Sequence, residues 1–232
     1  MMAHRWKQIA ALRRTPLLLL AQKVARRVPF RPIDLGKLCF LRLDGVPRVP
    51  PAMLRGPAAV REATRADIDA LAHLHHSREI FAARFDAGDR CVVAMAGGRV
   101  VGYEWFCANA THHETAWNYT IDIPDGCVYA YDAFIDPAFR NSGIWLRFKA
   151  MLADWMLATD KRWVLTFVDY GNDASLRTHQ RFGFKRAQTI VAVKVLGRSF
   201  FFSEASPNSR APRRRNTTAA SPASAPAARP SP

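Results

Sequence analysis

The chain has 232 residues, 49% hydrophobic and 23% charged, which excludes wholesale disorder and predicts one core with extensions. Its formal net charge of +15 is unevenly spread: residues 1–55 carry +10, residues 203–232 carry +4 and residues 56–202 only +1. A nearly neutral centre argues against a core that grips a phosphate backbone, and leaves an anionic surface as the partner for the ends.

The first segment, 1–55, reads as a basic, partly helical extension. Thr15 and Pro16 form an N-cap followed by proline at the first helical position. Leu17, Leu20, Ala21, Val24 and Val28 then recur at helical spacing, with Lys23, Arg26 and Arg27 on other faces. Such a stripe either packs on the core or lies on an anionic membrane. It is too short for a span, which needs ~20 apolar residues, and the basic residues after it fit a cleaved secretory signal poorly. The expected location is cytoplasmic, with peripheral contact at the inner face of the membrane as the alternative. Pro47, Pro50 and Pro51 read as a linker.

The core is predicted over 56–202. Thr64 and Asp67 stand at capping-box spacing ahead of Ile68, Leu71 and Leu74. Cys91–Ala96 and Val100–Phe106 flank Gly97-Gly98 and predict a hairpin. Residues 108–126 are polar and read as a loop or irregular strand. Val128–Ile135 is a strand stopped by Asp136-Pro137. A helix follows from about Ser142 to Ala158, then a buried strand Trp163–Val168, a helix Ala174–Arg181 and a final strand Ile190–Leu196. The order predicts a mixed α/β sheet flanked by helices. Residues 203–232 are rich in Pro, Ala, Ser and Arg and read as a disordered tail.

Cys39, Cys91, Cys107 and Cys127 form no CxxC pair and no zinc spacing, so free thiols in a reducing compartment are expected. His112-His113-Glu114 draws the eye. A metal would need further ligands that the sequence does not clearly supply, so no metal is expected, and the stretch reads as a polar loop over an acceptor pocket. Tyr129, Tyr131, Trp105 and Phe106 are candidates to line that pocket.

The chemistry concentrates where Phe134-Ile135-Asp136-Pro137 gives way to Arg140-Asn141-Ser142-Gly143-Ile144-Trp145. A strand ends, a turn follows and a helix begins at glycine, which makes an anion site of unpaired N–H groups. A second cluster, Asn172, Ser175, His179, Gly183 and Phe184, has the spacing N-x-x-S-x-x-x-H-x-x-x-G-F. With both clusters in place, residues 60–196 resemble the GNAT acyltransferase superfamily. That resemblance implies a mostly antiparallel central sheet, an acyl-coenzyme A co-substrate and an amine acceptor. It implies that the amides of Arg140, Asn141, Ser142, Gly143, Ile144 and Trp145 hold the pyrophosphate. It also places Asn172 by the pantetheine or the phosphate arm, counts Ser175 among the cofactor contacts, and sets main-chain groups of Phe134 and Ile135 along the pantetheine. His179 stands where the family usually has tyrosine, the acid that protonates the leaving thiolate. Trp145 stands where a small residue is usual; bulk there narrows the phosphate loop unless the side chain points into the core, in which case the helix still donates its amides.

Attack on a thioester needs a neutral amine, so a base is required. Asp132, on an aromatic strand, is the leading candidate and Glu104 the second; strand alternation puts Asp132 and Phe134 on one face and Ile135 on the other. The expected function is N-acyl transfer, most simply N-acetyl transfer, to a small-molecule or peptide amine in a ternary complex. The alternative is a non-catalytic module that binds coenzyme A or a partner. A nucleic-acid partner for the basic ends ranks last.

Overall fold

The computed structural model describes residues 33–56, 58–196 and 198–205. The helix expected at 16–28 and the tail from 206 onward lie outside the described residues. Ten strands and four α-helices follow in chain order: β1 (Ile33–Asp44), β2 (Ala59–Glu62), α1 (Ile68–Ala72), α2 (Arg78–Asp86), β3 (Arg90–Ala96), β4 (Arg99–Cys107), β5 (Thr111–Glu114), β6 (Tyr119–Asp122), β7 (Cys127–Ile135), α3 (Ile144–Leu157), β8 (Trp163–Asp169), α4 (Asp173–Phe182), β9 (Lys185–Val195) and β10 (Arg198–Ala205).

Eight strands form one sheet in the order β10-β9-β1-β8-β7-β4-β3-β2. Neighbours are antiparallel except β7 and β8, which run parallel. This is the mixed, mostly antiparallel sheet that the sequence predicts. Local signals explain several joins. Gly97 and Gly98 take positive φ between β3 and β4, the geometry of a two-residue hairpin turn. The Thr64 N–H donates to Asp67 Oδ2 at 2.8 Å in a complete capping box. A bond from the Arg61 guanidinium is the main cause that brings the Asp67 pKa down to about 2.

Several regions depart from expectation. β10 pairs with β9 through Ala205, so residues 203–205 belong to the sheet edge and not to the tail expected from 203. The stretch 108–126 is a regular hairpin, β5–β6, whose Trp117, Tyr119 and Ile121 are buried. More important, residues 33–44 are a full strand inside the sheet, whereas the sequence reading put them in the N-terminal extension. β1 pairs with β8 from Leu38↔Asp169 to Asp44↔Trp163, and with β9 from Ile33↔Val195 to Arg42↔Lys185. Leu38–Leu41 are fully buried on both faces, and such a strand shows a continuous apolar run with no alternation to announce it.

The sheet separates two core layers. On one side α1, α2 and the β5–β6 hairpin cover Leu38, Phe40, Tyr103, Trp105 and Tyr129. There Gly36 is obligatory, since a Cβ would lie 2.2 Å from the Trp117 ring. On the other side α3 and α4 cover Cys39, Leu41, Val92, Val128 and Val164. All four cysteines are buried, as thiols and not as disulfides.

Candidate active site

The site begins where β7 and β8 part. They pair at Cys127↔Trp163, Val128↔Val164 and Tyr129↔Leu165, and the recorded pairing stops there. Beyond Tyr129 a cavity of about 300 Å³ opens, lined by Ala130–Ala133 of β7, Thr166–Asp169 of β8 and, from the start of α4, Asn172, Ser175 and His179. A bulge on the other edge of β7 accompanies the parting. Tyr131 faces Trp105 and Phe134 faces Tyr103, so Asp132 and Ala133 share the place opposite Glu104, and Asp132 takes φ +45°. Asp132, bonded to the Tyr103 hydroxyl, and Phe134 lie on one side of the sheet and Ile135 on the other, but the bulge puts Tyr131 on the Asp132 side too, so simple alternation does not hold here. The Tyr129 hydroxyl and Glu104 Oε2 line this cavity, are buried, and have no hydrogen-bond partner among the described residues. Buried polar atoms are rarely left so, and a polar chain entering the cleft would satisfy them.

The loop after β7 prepares a helix end. The Asp136 carboxylate accepts the Ala138 N–H at 2.9 Å. Asn141 and Gly143 adopt left-handed backbone, φ +65° and +76°, the conformation from which anion-binding nests of consecutive N–H groups are built. Gly143 is the N-cap of α3, whose first recorded bond runs from the Arg147 N–H to the Gly143 carbonyl. The amides just ahead of it are those a helix leaves without internal partners. Ser142 Oγ donates to the Phe139 carbonyl at 2.6 Å, and Arg140 Nε to the Ile135 carbonyl at 3.3 Å. The Trp145 ring turns away from the loop. It packs edge-on against His179 at 4.9 Å and Phe182 at 5.2 Å, the inward-pointing one of the two orientations that the sequence left open. Phe134 and Ile135 pair with β4 and lie outside the cavity lining; Phe134 stacks on His75.

On α4, Asn172 is the N-cap, its Oδ1 accepting the Ser175 N–H at 3.2 Å. One turn on, His179 Nδ1 lies 2.9 Å from the Ser175 carbonyl oxygen. Only a protonated Nδ1 makes that bond, so the neutral ring presents a bare Nε2. Burial first, and the Lys149 charge second, push the His179 pKa down to about 4. Near neutral pH the ring therefore has no Nε2 proton to give. This departs from the expected acid role and makes His179 a hydrogen-bond acceptor in the cleft wall.

The two expected bases are both paired. Asp132 accepts from the Arg84 guanidinium of α2, has His76 Nε2 at 3.2 Å and accepts from the Tyr103 hydroxyl at 3.4 Å. Glu104 is buried against Lys149 Nζ of α3 at 2.5 Å, and Lys149 has no exposed surface at all. Burial raises the Glu104 pKa and lowers that of Lys149. Glu104 is thus a dehydrated anchor for a cation, not a solvated base.

Sequence reasoning missed Arg84, His76, Lys149 and the position of Glu114. Arg84 sits against Phe81, Trp105 and Tyr131, and only the fold brings these together. A second cavity of about 580 Å³, between α2 and β5, shares His76, Arg84 and Glu114 with the cleft. Glu114 accepts the Ala116 N–H at 3.3 Å and faces both cavities.

Comparison with known proteins places this arrangement. Residues 58–184, more than half of the chain, match the acetyltransferase (GNAT) family, and the chain belongs to that family. No curated protein sequence matches. Among solved structures, a putative GNAT-family acetyltransferase from Novosphingobium aromaticivorans superposes with a TM-score of 0.51 at 12% identity, over 72% of this chain and 67% of that one. A conserved protein of unknown function from Staphylococcus epidermidis gives 0.46 at 13% identity, over 75% of this chain and 66% of that one. An aminoglycoside N-acetyltransferase in complex with CoA gives 0.43 at 19% identity, over 55% of this chain and 92% of that one.

Proposed function

We propose that this protein transfers an acetyl or related acyl group from an acyl-coenzyme A to a primary amine, by direct attack within a ternary complex. The observation that carries the reading is the cleft between β7 and β8, with two unsatisfied buried polar atoms in its wall and the start of α4 at its side. A polar, extended pantetheine arm fits such a wall. The amides of residues 140–145 at the start of α3 would meet its pyrophosphate, with Arg140 adding charge. Asn172, Ser175 and the His179 Nε2 acceptor would line the arm.

The acyl-coenzyme A supplies an activated carbonyl. The cavity between α2 and β5 would admit the amine, a small molecule or a peptide end, with the Glu114 carboxylate placed to orient it. Amine nitrogen bonds to the carbonyl carbon as the carbon–sulfur bond breaks. The ammonium proton leaves to water or to a carboxylate at the junction; Asp132 serves there only through water, because Arg84 and His76 occupy its oxygens. The departing thiolate takes a proton from water, since His179 holds none at Nε2.

No helix among the described residues is long and apolar enough to cross a membrane. A cytoplasmic setting, with the basic stretch 1–32 ahead of β1 meeting an anionic surface, belongs to the same proposal.

A second reading, a coenzyme A-binding module without turnover, is favoured by one observation, the missing acid at His179. Calorimetry with acetyl-CoA, followed by thiol release across a panel of amines, separates the two. Binding with thiol release supports transfer, binding alone supports the module, and no binding removes both.

A further inference from the structure

Asp89, Cys107 and His112 come from three places in the chain: the turn after α2, the end of β4 and β5. Their ligating atoms lie within 4.8 Å of one another. Asp89 and Cys107 are buried, His112 is half-buried, and all three line the cavity between α2 and β5. We propose that these three side chains form a binding site for a zinc-class divalent transition metal, with a fourth coordination place open to that cavity.

The donor set suits that metal class. A thiolate, an imidazole and a carboxylate are the ligand types that zinc takes, and three protein ligands with one open place is the pattern of its non-structural sites. In a tetrahedral centre neighbouring donors stand about 3.5 Å apart, given metal–ligand distances of 2.0–2.3 Å. Contraction from 4.8 Å needs only side-chain movement. Binding would form a metal–sulfur bond as the Cys107 thiol proton leaves to solvent. One thiolate and one carboxylate would then balance the two charges of the ion.

The surrounding bonds hold the carboxylate in a ligand's pose. The Tyr131 hydroxyl donates to Asp89 Oδ2 at 2.5 Å, which reserves Oδ1 for the centre. Asn109 Nδ2 reaches Oδ1 at a long 3.4 Å, and its shorter bond, 2.9 Å, goes to the Ala87 carbonyl. The Asp89 backbone N–H is fixed on the Arg84 carbonyl at 3.0 Å. The Cys107 thiol would give up a 3.9 Å contact with the Thr111 carbonyl and its bond to the Asp89 carboxylate, and both proposed ligands would then turn to the ion. Metal carboxylates typically have such outer hydrogen bonds. Strand alternation in β5 explains the role of His112 alone: His113 lies on the other face and reaches Thr120.

The test is cobalt titration of the chelator-treated full-length protein. The expected result is one equivalent per chain, with thiolate-to-cobalt charge-transfer absorption and ligand-field bands of a four-coordinate ion. Zinc should displace it and raise the Tm. Cys107→Ser should abolish the charge-transfer band with an unchanged circular dichroism spectrum, and His112→Gln should weaken binding at least tenfold. A His75→Ala, His76→Ala variant removes the other candidate cluster, with Asp132, and should bind as the parent does. No stoichiometric cobalt in the folded parent would overturn the proposal. So would a charge-transfer band that survives Cys107→Ser, or binding that disappears with the two exposed histidines.

Discussion

His179 Nδ1 stands 2.9 Å from the Ser175 carbonyl oxygen, one helical turn earlier, and that bond fixes which of its ring nitrogens carries the proton. The ring is buried beside Lys149, and its pKa is pushed down to about 4. An ordinary histidine in the unfolded chain titrates near 6.5. Between these values the unfolded state binds the extra proton, so stability is full above about pH 6.5 and falls as the pH drops toward 4. The loss reaches about 3 kcal/mol at the acid end. Urea midpoints measured across this range should fall more gently for His179→Gln than for the parent.

The start of α3 offers a sharper test of the coenzyme A site. Gly143 sits at φ +76°, and a Cβ there would come 3.4 Å from the Met53 carbonyl. Gly143→Glu adds crowding and a negative charge where a pyrophosphate would bind. Its Kd for acetyl-CoA should rise at least tenfold by calorimetry, with the fold checked by circular dichroism. Unchanged affinity would move the phosphate site elsewhere.

The Glu104–Lys149 pair joins β4 to α3 with both charges out of water. Lys149→Met leaves the Glu104 carboxylate buried without its cation, at a cost of about 3–5 kcal/mol. Glu104→Leu added to it should recover most of that loss. Chemical denaturation of the two single variants and the double variant would measure the coupling. Additive losses would show that the pair is not a unit.

Glu114 faces both cavities and accepts a single recorded hydrogen bond. Glu114→Gln keeps its shape and removes a charge-assisted contact, worth about 1.5–3 kcal/mol. The kcat/KM for the amine should fall roughly ten- to a hundredfold, while the Kd for acetyl-CoA stays put. A matching loss of acetyl-CoA affinity would place Glu114 in the cofactor cleft instead.

Much of the fold was legible because its signals are local. Gly97-Gly98, the Thr64–Asp67 box and the Asp136-Pro137 stop each act over a few residues, and each appears in the structure. The glycine-led start of α3 and the Asn172 cap of α4 were legible for the same reason. The partners of the candidate bases were not. Arg84 lies 48 residues from Asp132 and Lys149 lies 45 from Glu104, and no periodicity links such pairs. The setting of His179 was hidden for a related reason: spacing shows that it shares a helix with Ser175, but not that it is buried beside Lys149 with Nδ1 on the Ser175 carbonyl.

β1 also changes what counts as the smallest chain able to fold. A chain starting at residue 58 keeps the whole family match yet lacks the strand that bridges β8 and β9. During synthesis β1 leaves the ribosome first among the sheet strands and waits for neighbours encoded well over a hundred residues later. Pairings that distant in sequence form slowly. The sheet therefore closes only after β8 and β9 have been made, and until then an apolar strand, Leu38–Leu41 at its centre, stays without its two neighbours, the kind of exposed edge that invites aggregation.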